Sequence, residues 1–174
     1  MILTLMIVVF FSIEDTFKGR TIYVWCRHVG RSQQFTIAHN INSIIDVSSF
    51  PEVQYIHQTS RIRNKVFANL VHIVKLIIHG EGPLVICCRN GRTRSPACLA
   101  AYLLISYCMS TEVAYRYLTG KMLAARPLLS CDVDRDSRFT PHLRHFENLL
   151  DDGCSTGLSS YVGTGLSSYI SQSV

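Results

Sequence analysis

Four apolar residues followed at once by a cysteine, a short polar turn and an arginine constrain this chain more than any other stretch. Gly80-Glu81-Gly82-Pro83 stops whatever precedes it. Leu84-Val85-Ile86-Cys87 comes next, too short for a helix and apolar throughout, as expected of a strand buried on both faces. Beyond the turn, Pro96 stands where a first helical turn tolerates proline, and Ala97 to Met109 is almost wholly apolar, the composition of a central buried helix. Residues Cys88 to Ser95 then form a tight loop between a buried strand and a helix start. Its backbone N–H groups point inward beside a helix N-terminus, and that is an anion site.

The surrounding sequence alternates strand and helix. Ile22-Tyr23-Val24-Trp25 reads as a strand and Ile41 to Val47 as another, with a short polar, partly helical segment between them. Ser48-Ser49-Phe50-Pro51 breaks the second strand, and Val53 to Ile56 is expected to form a short strand before the polar stretch His57 to Ser60. From Arg61 to His79 apolar residues recur at Val66/Phe67, Leu70/Val71, Val74 and Ile77/Ile78, which places one stripe on one helix face. Ser110-Thr111-Glu112 supplies a capping start for a helix that ends before Arg126-Pro127, and a last helix is expected from Pro141 through Leu150. This alternation predicts an α/β domain with helices covering a central sheet. A chain of 174 residues that is 48% hydrophobic suffices for one such domain without staples.

The expected organisation is an apolar segment over 1–20, a folded domain over 21–150 and a Ser/Gly-rich tail over 151–174. Met1 to Phe11 is strongly apolar, has no basic start and is too short to cross a bilayer as a helix, so it suits a buried strand or an anchor. In the tail Thr156-Gly157-Leu158-Ser159-Ser160-Tyr161 recurs from Thr164 to Tyr169, and with no charge after Asp152 disorder is expected. The 7 cysteines are an odd number, and Cys87 and Cys88 are neighbours, a poor layout for a disulfide framework. A reducing intracellular, cytoplasmic setting is expected, with membrane contact through the N-terminal segment left open. The formal charge of +5 favours anionic partners without choosing among them.

Within the loop each residue has a chemical reason to be there. Cys88 and Arg94, separated by five residues, bracket the cradle, whose amides would favour a thiolate nucleophile at Cys88. Arg94 can grip two phosphate oxygens with its planar fork, a geometry that lysine lacks. Gly91 permits the sharp turn and the Ser95 hydroxyl can donate to the sulfur as it leaves. Arg89, Asn90, Gly91, Arg92, Thr93 and Arg94 are therefore the expected phosphate-binding set, and Cys88, Arg94 and Ser95 the expected catalytic one.

The run Cys87-Cys88-Arg89-Asn90-Gly91-Arg92-Thr93-Arg94-Ser95 resembles the signature His-Cys-x-x-Gly-x-x-Arg-Ser of the dual-specificity branch of the protein tyrosine phosphatase superfamily. Ala101-Tyr102-Leu103-Leu104, Met109 to Tyr115, Arg126-Pro127 and Phe139 to Glu147 follow the same family's order, so the resemblance spans Thr21 to Leu150. It implies a tyrosine phosphatase-like fold with a central mixed sheet. It also implies dephosphorylation of phosphotyrosine or phosphoserine/threonine proteins through a cysteinyl-phosphate, with no cofactor, metal or specific DNA binding. Arg89 and Arg92 resemble basic residues of phosphoinositide phosphatases, which keeps an inositol lipid or an RNA 5′ end as the alternative substrate.

Two departures bear on activity. Cys87 replaces the usual histidine and is expected to be structural filler. The family's general acid, an Asp, falls near His57 when counted back from Cys88, yet no Asp occurs between Asp46 and Cys88. His57 is the candidate donor, Asp46 reads as structural, and Thr93 closes the route used by relatives with an Asp before the loop arginine. Asp132, Asp134 and Asp136 resemble the start of a calcium loop, but Ser137 and Leu143 replace its Gly and Glu, so these acids are expected at most as substitute donors. Loss of a general acid costs roughly 10²–10⁴-fold in rate, which implies a slow phosphatase or a phosphate-binding protein without turnover.

Overall fold

The structure, a computed structural model, describes residues 11–49, 60–125 and 140–156. Among the described residues four strands, β1 (Phe11–Asp15), β2 (Arg20–Cys26), β3 (Ser43–Asp46) and β4 (Leu84–Cys88), form one sheet in the order β1-β2-β4-β3. β1 runs antiparallel to β2, whereas β2, β4 and β3 are parallel to one another. The sheet is therefore mixed, and the expected α/β architecture with flanking helices is the one observed. β4 is flanked on both sides and buried at every residue, which is why its sequence is a continuous apolar run rather than an alternation.

Among the described residues six helices accompany the sheet: α1 (Arg27–Gly30), α2 (Gln33–Ala38), α3 (Ser60–His79), α4 (Arg94–Ser106), α5 (Thr111–Ala125) and α6 (Thr140–Thr156). On one face Leu84, Ile86 and Cys88 of β4 join Ile22 and Val24 of β2 in a core with Leu70, Val74 and Ile77 of α3, nearly all of α4, and Leu118 and Phe146. α4 packs against α3, α5 and α6, and this central place explains its nearly uniform apolar composition. The opposite face carries Tyr23 and Trp25, whose rings meet Phe35 of α2 edge-on at 5.6 and 4.6 Å. Ser32 caps α2 by accepting a hydrogen bond from the Phe35 amide at 3.1 Å.

Several predicted boundaries shift for identifiable reasons. The buried helix begins at Arg94 rather than Ala97, because the Ala97 amide bonds the Thr93 carbonyl at 3.1 Å and draws the loop arginine into the first turn. It stops at Ser106 rather than Met109, followed by Cys108 at φ +51. The sheet begins before Thr21, since β1 lies within the apolar N-terminal stretch and pairs with β2. The last helix continues past Leu150 to Thr156, into residues for which disorder was expected from the polar sequence. The Ser110 start of α5 is as predicted, with its Oγ accepting from the Val113 amide at 3.3 Å. The predicted strand Val53 to Ile56, Met1 to Phe10 and the duplicated tail from Gly157 lie outside the described residues. Among the described residues no helix is long and apolar enough to cross a membrane.

A buried polar lock joins the β1–β2 hairpin to the helical layer. Asp15, wholly buried, pairs with Arg20 through Oδ2 at 2.9 Å and accepts hydrogen bonds from Tyr102 and Tyr107, each at 2.8 Å. Arg20 in turn donates to the carbonyls of Ile77, at 2.6 Å, and Gly80 at the end of α3. Each charge is compensated, as burial of an ion requires.

Candidate active site

Parallel strands deliver their C-terminal ends to one edge of a sheet, the usual place for a ligand crevice in α/β folds. Cys26 at the end of β2 lies opposite Cys88, and Asp46 at the end of β3 lies opposite Cys87. The Val47 amide also bonds the Cys87 carbonyl at 2.8 Å. Three chain segments therefore leave the same edge side by side. α1 follows β2, Ser48 follows β3, and the loop 89–93 follows β4. They surround a cleft of about 590 Å³ lined by Arg27, His28, Arg31, Ser48, Arg89 and Arg94.

Gly91 is buried at φ +70, a left-handed conformation that suits glycine and costs other residues strain. Arg94, at the first position of α4, donates from Nη1 to the Ser48 carbonyl at 2.6 Å, which orients its guanidinium at the cleft wall. Cys88 is 4% exposed, and Ser95 is fully buried with no hydrogen-bond partner for its Oγ among the described residues. Arg89 lines the cleft. Asn90 and Arg92 are exposed and Thr93 half-buried, and Arg92 is not among the lining residues.

The two adjacent cysteines face opposite sides of the sheet, as a strand's pleat requires. Cys88 belongs to the core beneath α4, whereas Cys87 packs against Gly30 of α1. A Cβ on Gly30 would come within 2.9 Å of the Cys87 Cβ, so the close approach of α1 to β4 depends on glycine there. Burial, reinforced by the charge of Asp46 and by Cys88, pushes the Cys87 thiol up to about 12. Such a group is an inert apolar filler rather than a nucleophile.

Asp46 ties the two sides of the cleft together. Its Oδ1 accepts from the Ser48 amide at 2.9 Å, and its Oδ2 pairs with Arg27 Nε at 3.1 Å and Arg31 Nη1 at 3.4 Å. Burial alone would raise its carboxyl, but hydrogen bonding from Ser48 and the charges of Arg27 and Arg31 outweigh it and hold the group below 3.8. It stays an anion that orients arginines. His57, Asp132, Asp134 and Asp136, the expected or substitute proton donors, lie outside the described residues, and among the described residues no carboxylate lines the cleft.

No family model matches the sequence, and no curated protein matches it either. Solved structures do match. A mouse putative dual specificity phosphatase, solved as a complex with zinc tungstate, superposes with a TM-score of 0.52 at 14% identity over 83% of this chain and 90% of its own. The Yvh1 phosphatase domain of Chaetomium thermophilum gives 0.54 at 17% identity over 84% and 97%, and human DUSP28 gives 0.51 at 15% over 81% and 95%. The chain has the dual specificity phosphatase fold.

Within that fold, Arg27, His28, Arg31 and Ser48 of the cleft were not singled out from the sequence. A signal existed: Arg27-His28 directly follows a predicted strand, and residues after parallel strands converge on one edge. It could be used only with the strand order known.

Proposed function

We propose that this protein is an atypical member of the dual specificity phosphatases that removes phosphoryl groups from proteins through a cysteinyl-phosphate on Cys88. The observation that carries the reading is Cys88 and Arg94 at the two ends of one short loop, at the start of a buried helix and beside a cleft walled by arginines. The Cys88 sulfur attacks phosphorus and the P–O bond to the substrate breaks. The leaving oxygen takes a proton from His57 or water. Water then attacks the S–P bond, releasing inorganic phosphate and regenerating the thiol. Arg94, held by Ser48, and the loop amides oppose the charge that develops on the equatorial oxygens, and the buried Ser95 hydroxyl supports the departing sulfur.

The cleft's described lining contains no carboxylate, which favours slow turnover or good leaving groups. The second reading, a phosphate-binding protein without turnover, draws on the same observation. Hydrolysis of an activated aryl phosphate, a phosphopeptide and a phosphoinositide by wild type and Cys88→Ser separates the two. Wild type is expected to exceed the variant on at least one substrate, and equal background on all three refutes the enzyme. Tungstate, the oxyanion in the mouse neighbour's crystals, is expected to inhibit competitively and to lose potency in Arg94→Lys. His57→Ala is expected to slow poor leaving groups more than the activated ester, and an unchanged ratio removes His57 as donor.

A further inference from the structure

Hydrolysis of a cysteinyl-phosphate calls for a group that takes a proton from the attacking water, and in the reaction proposed above no residue does so. The cleft's described lining holds four arginines, Ser48 and His28. A guanidinium stays protonated and accepts nothing, and an aliphatic hydroxyl is too weak a base to hold a proton near neutrality. Imidazole differs, because an ordinary pKa of about 6.5 lets it take up a proton near pH 7 and release it again. Among the described residues His28 is therefore the side chain of the lining suited to act as a base.

Stability does not account for the His28 ring. It is exposed, and among the described residues no hydrogen bond, ion pair or ring contact holds it. Its backbone, by contrast, is fixed. Arg27 and Arg31 on either side of it both pair with Asp46 Oδ2, at 3.1 and 3.4 Å, and Gly30 packs on Cys87. Asp46 Oδ1 accepts from the Ser48 amide and the Ser48 carbonyl accepts from Arg94, so α1 and the arginine of the loop share one anchor. The direction of attack fits as well. Cys88 is 4% exposed, so its sulfur meets a phosphoryl group from the buried side. Displacement at phosphorus runs roughly in line, and the water enters opposite the sulfur, from the open side where His28 stands. The charged groups around that ring are Arg27 and Arg31 of α1, Arg89 and Arg94 of the lining, and Asp46 at the end of β3. α2 carries no charged residue, and β2 and β4 bring only the thiols of Cys26, Cys87 and Cys88 to this edge.

We propose that His28 is the general base that activates the water hydrolysing the cysteinyl-phosphate. The proposal rests on the phosphatase reading and supplies the base which that reaction lacks. The neutral ring takes a proton from water as the water oxygen bonds to phosphorus and the S–P bond breaks, its electron pair returning to the Cys88 sulfur. Inorganic phosphate departs, and the imidazolium passes its proton to solvent. The step is separate from protonation of the leaving oxygen, so it holds whether His57 or water supplies that earlier proton. Asp46 acts as the positioning residue, through the arginines on either side of His28.

Rapid-quench kinetics with an activated aryl phosphate compares wild type, His28→Gln and His28→Ala, both of which replace an exposed side chain and are expected to melt with wild type. With a good leaving group the cysteinyl-phosphate forms fast and its hydrolysis limits kcat. The variants are therefore expected to release about one equivalent of aryl alcohol in a burst, to turn over about 10²-fold more slowly than wild type, and to accumulate phosphoenzyme visible by mass spectrometry. Because kcat/KM ends at the first irreversible step, KM is expected to fall along with kcat. Wild-type kcat is expected to drop as acid protonates the base, a limb that His28→Gln lacks, and imidazole in solution to restore part of kcat to His28→Ala. An unchanged kcat without a burst overturns the base. So does a kcat that falls together with kcat/KM, which marks a loss of binding or of the first step. Both results leave Cys88-dependent turnover standing. If wild type shows no Cys88-dependent burst or turnover at all, the phosphatase reading is refuted and the base falls with it.

Discussion

Replacing Asp15 by alanine removes the acceptor at the centre of the buried lock and leaves Arg20 charged and buried without its carboxylate. Asp15 is 0% exposed and Arg20 5%, so water does not reach the orphaned guanidinium from outside. The Tyr102 and Tyr107 hydroxyls also lose their 2.8 Å acceptor, and among the described residues Arg20 is left with its two carbonyl partners. Breaking a buried pair from one side costs about 3–5 kcal/mol, a large part of the roughly 5–15 kcal/mol by which a domain is stable. At about 2–4 °C per kcal/mol for a domain of this size, the melting temperature is expected to fall by about 6–20 °C. Urea denaturation followed by circular dichroism measures the loss, with an unchanged slope showing that the native state remains compact. A double-mutant cycle with Arg20→Met isolates the pair, because the double variant no longer buries an uncompensated charge and should be less destabilised than the two single losses added. A loss below about 1 kcal/mol for Asp15→Ala, or strict additivity in the cycle, refutes the lock.

Gly91→Ala forces a Cβ into φ +70 and is expected to cost about 1–2 kcal/mol while weakening inhibition by tungstate more than it lowers the melting temperature of the remaining fold; wild-type inhibition would refute the loop's role. Cys87, with its thiol raised to about 12 and its side chain buried, should resist iodoacetamide in the native protein at pH 8 while exposed Cys108 reacts, as mass spectrometry of the alkylated sites will show; equal labelling would contradict the packing. Asp46 is depressed below 3.8 in the folded state, so the stability it contributes is present above that value and is lost as pH falls through and below it. The urea midpoint of Asp46→Asn is therefore expected to lie below wild type at pH 7 and to converge with it in acid, and parallel curves would exclude the linkage.

The loop from Cys88 to Ser95 was legible because its chemistry is local. A buried strand, a glycine turn and a helix start occupy consecutive residues, and the spacing of Cys88 and Arg94 follows from that short path. The helix Ser60–His79 was legible for a similar reason, since a stripe at helical spacing needs only neighbours in sequence. Helix ends were less so. Arg94 and Ser95 look like loop residues until the Thr93 carbonyl captures the Ala97 amide, and Asp151-Asp152-Gly153 looks like a tail although the helix runs through it. At the start of α4 that backbone hydrogen bond overrides composition.

By itself the sequence determined the alternation of strands and helices, the buried character of β4 and α4, and the short loop between them. All of these depend on periodicity and on residues adjacent in the chain. Only the tertiary structure decided that β4 lies between β2 and β3, and with it which distant residues meet. That order brings Arg27 and Arg31 from one strand end and Asp46 and Ser48 from another to the rim of the Cys88 loop. It also places Asp15 and Arg20 against Tyr102 and the end of α3. Such contacts depend on strand order and register, which no local pattern encodes, because several orders would bury the same apolar faces equally well.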